Sequence, residues 1–127
     1  MIKVSYDDPN LDGGIPDAGG GATFFYKGEP FTGIIQYFYP TGELEAEDEF
    51  VDSHKNGHHI EWYKDGKVRE EYYERYNNYY GELKRYNEQG IMTYYEKFTD
   101  DSISLEAKKF DDNGKLIGHW IKDVKVL

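Results

Sequence analysis

From residue 33 onward the chain runs in short apolar–polar alternations broken by glycine. Within residues 43–50, Leu44, Ala46 and Phe50 fall on one set of alternate positions, with Asp48 the exception among them. Glu43, Glu45, Glu47 and Glu49 take the other set. A period of two places alternate side chains on opposite faces of a β-strand. The same reading applies to segments such as HHIEWY and EEYYERY, where aromatic and β-branched residues lie between glycines. Helices fit poorly, because such residues with glycine at short fixed intervals build no stable apolar stripe.

The glycines have a register of their own. Gly42, Gly66, Gly90 and Gly114 are each 24 residues apart, and Gly33, Gly57 and Gly81 precede the first three by nine. Four positions before each late glycine stands an aromatic residue: Phe38, Trp62, Tyr86 and Phe110. Two positions after it stands an apolar one: Leu44, Val68, Met92 and Leu116. Leu105 replaces the early glycine in the fourth copy, as expected of an end unit. Each unit reads as a hairpin, with Asp65-Gly66 and Asn113-Gly114 as the strongest turn dipeptides. Single hairpins are marginal, so the units are expected to share one sheet. Phe38 and Trp62 are expected as core rings. Residues 22–33, with Lys27-Gly28 at a turn, read as a degenerate leading unit, and residues 7–21 as a Gly-, Asp- and Pro-rich loop.

The predicted fold is therefore all-β: four 24-residue hairpin repeats in an extended, curved antiparallel sheet, with a partial leading unit. Residues 1–21 form an acidic lead-in and residues 22–127 the repeat domain.

Composition sharpens this picture. Among 127 residues, 38% are apolar, yet 17% are aromatic, including 13 tyrosines, which argues for order despite low hydropathy. No cysteine is present, so disulfides, thiol catalysis and cysteine metal sites are excluded. Neither a membrane-spanning run nor a signal-peptide pattern is found, and a cytoplasmic location is expected. The formal charge is −10. Residues 1–53 hold eleven acids and two lysines, a net of −9, whereas residues 54–127 hold fourteen acids and thirteen bases. Such a field repels nucleic acid and anionic lipid and attracts basic partners.

The repeat resembles the MORN-repeat variant family. The similarity is carried by NGHHIEWYKDGKVREE and, less perfectly, by TGIIQYFYPTGELEAE, YGELKRYNEQGIMTYY and FDDNGKLIGHW, across residues 24–122. In the last two the aromatic pair becomes Tyr86-Asn87 and Phe110-Asp111. The resemblance implies bacterial antitoxins or immunity proteins that bind and block a toxin. It alternatively implies a structural scaffold that joins proteins without a toxin.

Candidate chemistry was weighed against that expectation. Carboxylates at alternate positions of a strand stand about 6.6 Å apart, so Glu43, Glu45, Glu47 and Glu49, extended by Asp52, form a row that is solvated or faces a cationic partner. Tyr37 and Tyr39 on the preceding strand would supply aromatic anchors, and a basic, nuclease-like toxin domain fits such a surface. In the cluster His54, His58 and His59, the first two would share a metal on a helix, but the segment reads as a turn entering a strand, where the adjacent His58 and His59 face opposite sides. Asp111-Asp112-Asn113-Gly114 lacks the closing glutamate of a calcium loop. The serines lack a nucleophile-elbow context, and no glycine run forms a phosphate loop. The expectation is thus a protein-binding, non-enzymatic chain without catalytic residues, cofactor, metal, nucleic-acid or membrane partner. Its oligomeric state is left open.

Overall fold

The computed structural model describes residues 1–18 and 21–122. Among them lie twelve strands and no helix. In chain order these are β1 (Lys3–Ser5), β2 (Leu11–Pro16), β3 (Ala22–Tyr26), β4 (Glu29–Pro30), β5 (Gly33–Phe38) and β6 (Leu44–Val51). They continue with β7 (His54–Trp62), β8 (Val68–Arg75), β9 (Asn78–Tyr86), β10 (Met92–Phe98), β11 (Ser104–Phe110) and β12 (Leu116–Ile121). The all-β expectation holds. One open sheet runs in the order β1-β5-β6-β7-β8-β9-β10-β11-β12. Every pair along it is antiparallel except β1 with β5.

Two kinds of turn join neighbours. At one end, the amide of Tyr63 donates to the Lys67 carbonyl at 2.8 Å and Gly66 donates back to the Tyr63 carbonyl at 3.0 Å. The same double bond recurs at Tyr39/Glu43, Asn87/Ile91 and Asp111/Lys115. Closing this loop requires a left-handed fourth residue, and Gly66 supplies it at φ 91° without a Cβ clash. At the other end two loops have two residues, Asp52-Ser53 and Tyr76-Asn77, all at positive φ although none is glycine, while the β10–β11 loop repeats the double bond at Thr99/Ile103 with Ser102 left-handed at φ 67°. That conformation costs a side-chain-bearing residue about 1 kcal/mol.

Side chains also tie one hairpin to the next. The Tyr39 hydroxyl donates to the Trp62 carbonyl, and the Tyr63 hydroxyl donates to the Tyr86 carbonyl at 2.7 Å. Asn87 stands in the next place of this column, and its amide donates to the Asp112 carbonyl at 3.1 Å. The loss of the aromatic residue at 87 therefore keeps a tether, with an amide as donor and an acceptor two residues further along the next hairpin.

The segment expected as a loop, residues 7–21, departs from that reading. Leu11–Pro16 is a strand paired with β3, and Lys3–Ser5 lines the edge of β5. The composition misleads because Gly13 lies directly opposite Phe24, whose ring occupies the space of a side chain: a Cβ there would stand 2.0 Å from it. Gly13 lets the ring cross the strand. Gly14 then bends the chain at φ 90° within a bulge.

Strands β2–β4 fold back onto one face of β5–β7. Phe24 donates its amide to the Ser53 carbonyl, and Ser53 donates to the Phe31 carbonyl. Val4, Phe24, Phe31, Ile35 and Phe50 form the core between the layers. Ile35 and Phe50 are 0% and 2% exposed, each burial contributing about 1.5–3 kcal/mol. Phe38, expected in the core, is 43% exposed, and Trp62 is only half-buried. Three residues beyond Ile35 on β5, Phe38 falls on the opposite face, away from the covering layer. The sequence also reads residues 119–127 as a mixed-sign strand whose Lys122 and Lys125 blunt an edge of the sheet; it is described as strand only to Ile121, and Lys125 lies outside the described residues.

Candidate partner-binding face

Cross-strand register fixes what each face presents, because directly paired residues point the same way. Tyr37, Ala46 and Glu61 align across β5, β6 and β7, followed by Glu70 and Arg85 on β8 and β9. One row along, Ile35, Asp48, His59 and Tyr72 align on the same face. Over β5–β7 this face is covered by β2–β4. Beyond, it continues without a second layer, and no residue of β10–β12 is buried.

The covered layer ends at a polar cluster. Asp48 accepts from Nδ1 of His59, and Lys55 places its ammonium 3.4 Å from Asp48 and 3.3 Å from Glu74. Lys55 also donates to the Tyr72 hydroxyl at 2.9 Å. Burial raises the Asp48 carboxyl, but the bond from His59 and the Lys55 ammonium outweigh it and hold the group below its ordinary value. Burial pushes the Tyr72 hydroxyl up to about 12 and the Tyr37 hydroxyl above the ordinary tyrosine range. Next to this cluster opens a cleft of about 360 Å³, walled by Tyr6, Phe24, Tyr37 and Phe50 with Asp48 and Lys55 among its lining residues. Its polar groups are mutually satisfied, and among the described residues nothing in it makes a nucleophile–base pair.

Outward from the cluster runs an aromatic ladder. The Tyr72 ring meets Tyr79 edge-on at 5.0 Å, and Tyr79 meets Phe98 at 5.7 Å. Tyr94 carries the Arg85 guanidinium 5.3 Å from its ring centre, and Trp120, 48% exposed, stands opposite Ala107 at the far end. The opposite face is a checkerboard of internal pairs. Glu71 meets His58 at 2.7 Å, the Tyr95 hydroxyl donates to Glu82 at 2.6 Å, and Glu106 meets His119 at 3.2 Å.

The predicted acidic row is dispersed among different tasks. Glu43 lies exposed beside the first turn and accepts from the Thr41 hydroxyl, which lowers its pKa. Glu45 is half-buried at the bulge of β6. Glu47 is held by Lys3 at 3.1 Å and by Gln36 at 2.8 Å. Glu49 accepts the His58 amide at 3.0 Å and lies over Gly57, where a Cβ would meet its carboxylate at 2.2 Å. Asp52 occupies the left-handed corner of the β6–β7 turn. Tyr37 points to the core face, away from Glu47 and Glu49, and packs on Tyr6 at 5.2 Å. Tyr39 commits its hydroxyl to the tether described above. Hence Glu47 and Glu49 share a face with one another but not with Tyr37.

The sequence reads the tyrosine run at residues 70–80 as aromatic surface covering the sheet, able to form part of a binding face, but it does not place the ladder that continues through Phe98 and Trp120. The ladder's signal was present in EEYYERYNNYY: Tyr79 stands directly opposite Glu74, two residues beyond Tyr72 on β8, so the two-residue turn at Tyr76-Asn77 brings Tyr72 and Tyr79 to one face. His58 and His59 do face opposite sides, each with its own carboxylate.

No family model matches the chain, and no match is found among curated proteins. Among solved structures, the chain is similar to a mutant of S. aureus TarM in complex with fondaparinux, alpha-GlcNAc-glycerol and UDP. Identity is 13%, the match covers 89% of this chain and 20% of that one, and the TM-score is 0.39. The chain spans a fifth of that structure's length, and a likeness of this size does not establish a shared fold.

Proposed function

We propose that the chain is a MORN-like hairpin-repeat protein whose work is to bind another protein, as an immunity protein or antitoxin against a basic, nuclease-like toxin domain in the cytoplasm. The observation that supports this reading most is the uncovered face: among the described residues, a sheet one layer thick that carries Tyr79, Tyr94, Phe98 and Trp120 exposed or half-exposed at its surface, with the buried Tyr72 at the foot of the row. Rigid aromatic side chains on a preformed sheet suit protein recognition, since little entropy is lost when they are covered. The acidic field of residues 1–53 steers a basic partner toward the same molecule. Glu43, Glu45 and Asp52 are the members of the acidic set left to meet such a partner, because Glu47 and Glu49 are held within the chain.

Growth rescue tests this. A toxin domain encoded beside the chain is expressed alone, with the wild type, and with a Tyr79→Ser/Phe98→Ser/Trp120→Ser variant whose circular dichroism is unchanged. Rescue by the wild type and its loss in the folded variant is the expected result. Failure of the wild type to bind or rescue overturns the immunity reading and leaves a scaffold that joins proteins.

A further inference from the structure

Three side chains at the border of the covered layer are arranged as no hairpin requires. His59 and Glu61 are two residues apart on β7 and so share a face, and Glu70 stands directly opposite Glu61 on β8. A ring nitrogen of His59 and one carboxylate oxygen from each glutamate lie within 4.8 Å of one another. Like charges directly opposed across a ladder are destabilising. Arg85 compensates one of them, its Nε donating to Glu70 at 2.7 Å. Among the described residues Glu61 has no ion pair or hydrogen bond from its side chain, although it is half-buried.

The histidine is prepared rather than mobile. His59 is 9% exposed, and its Nδ1 is committed to Asp48, which Lys55 holds in turn. Its ring stacks on Tyr72 at 4.4 Å and 16°. The bond to Asp48 leaves Nε2 as the nitrogen open to a ligand, the arrangement in which a carboxylate orients a metal-binding imidazole. His58, the adjacent residue, is turned to the other face and taken by Glu71.

We propose that His59, Glu61 and Glu70 form a divalent-cation site for a first-row transition ion such as zinc, with Asp48 and Arg85 supporting it from behind. One imidazole nitrogen and two carboxylate oxygens suit Zn²⁺, whose bonds to such ligands are about 2.0–2.2 Å, so the three atoms need only small side-chain rotations to converge. The ion neutralises the opposed glutamates. Three protein ligands leave a coordination position for water or for a group from a partner. The inference is independent of the immunity reading, since it concerns the free chain.

The test is calorimetric titration of chelator-treated protein with ZnCl₂ for the wild type, Glu61→Gln and the opposite-face control His58→Gln. Removing one of two opposed charges is not expected to harm folding, which circular dichroism checks. The proposal expects one ion per chain, binding weakened by about tenfold or more in Glu61→Gln, and no change in His58→Gln. A zinc-dependent rise in melting temperature is expected in the wild type and lost in Glu61→Gln. Absence of binding by the wild type, equal binding by Glu61→Gln, or loss in His58→Gln each overturns it.

Discussion

The molecule is built in two manners. From β1 to β7 the sheet has a partner layer, and Phe24, Phe31, Ile35 and Phe50 meet buried between them. From β8 to β12 the same sheet continues, among the described residues, without a second layer, and only Tyr72, Glu74 and Leu83 of those strands are buried. The first part draws its stability from apolar burial. The second draws on the backbone ladder, the turns that repeat every 24 residues, the hydroxyl and amide tethers between hairpins, and cross-strand pairs such as Glu70–Arg85. Each of those contributes little alone. A single-layer sheet of this kind is held by its contact with the cored end, which resembles the nearest-neighbour logic of repeat proteins. The lesson is that the covered end can sustain an uncovered face kept for other molecules.

The sharpest way to separate the two parts is to delete a ring from each. Phe50→Ala should cost about 3–5 kcal/mol, because the ring is enclosed by Phe24 and Phe31 at 5.1 and 6.2 Å. Trp120→Ala should cost under about 1 kcal/mol. Urea midpoints of the two variants measure the difference. Equal losses would mean that the far end is as tightly packed as the core.

Acid probes the boundary. Because the folded Asp48 carboxyl titrates below its ordinary value of 3.8, its contribution is present above that pH. It is lost as pH falls below 3.8 through the folded value. The stability gap between wild type and Asp48→Asn should therefore be wide at neutral pH and narrow below 3.8, as denaturation at both pH values will show. A gap that stays constant would detach Asp48 from the cluster that ends the covered layer.

A smaller effect belongs to the turns. Tyr76 and Asn77 are left-handed at φ 51° and 65° in an exposed two-residue loop. Replacing them by Tyr76→Asn and Asn77→Gly should stabilise the chain by about 1 kcal/mol in thermal melts. No gain would mean that this loop is not strained.

Much of this architecture was legible in the sequence. The strand period, the turn glycines at 42, 66, 90 and 114, and the opposite facing of His58 and His59 follow from spacing alone, since period-two geometry and positive φ are local properties. The N-terminal layer was not legible. Gly13 reads as a breaker until Phe24 is known to lie across it, which is a tertiary fact. The site suffered likewise. Asp48, the one polar residue on the apolar side of its strand, is the centre of the buried cluster, while the glutamates that attracted notice are shared among Lys3, Gln36 and the His58 amide. Alternation told which side they take, and only the pairing of distant segments told what they meet.

Native-state hydrogen exchange of the protein alone, followed amide by amide at two concentrations, tests most directly whether the far face is open and available. The account predicts that β5–β7 exchange only through global unfolding and that β10–β12 exchange earlier, at rates independent of concentration. Protection of β10–β12 equal to that of β6, or rising with concentration, would show the face already covered and contradict its role as a surface kept for a partner.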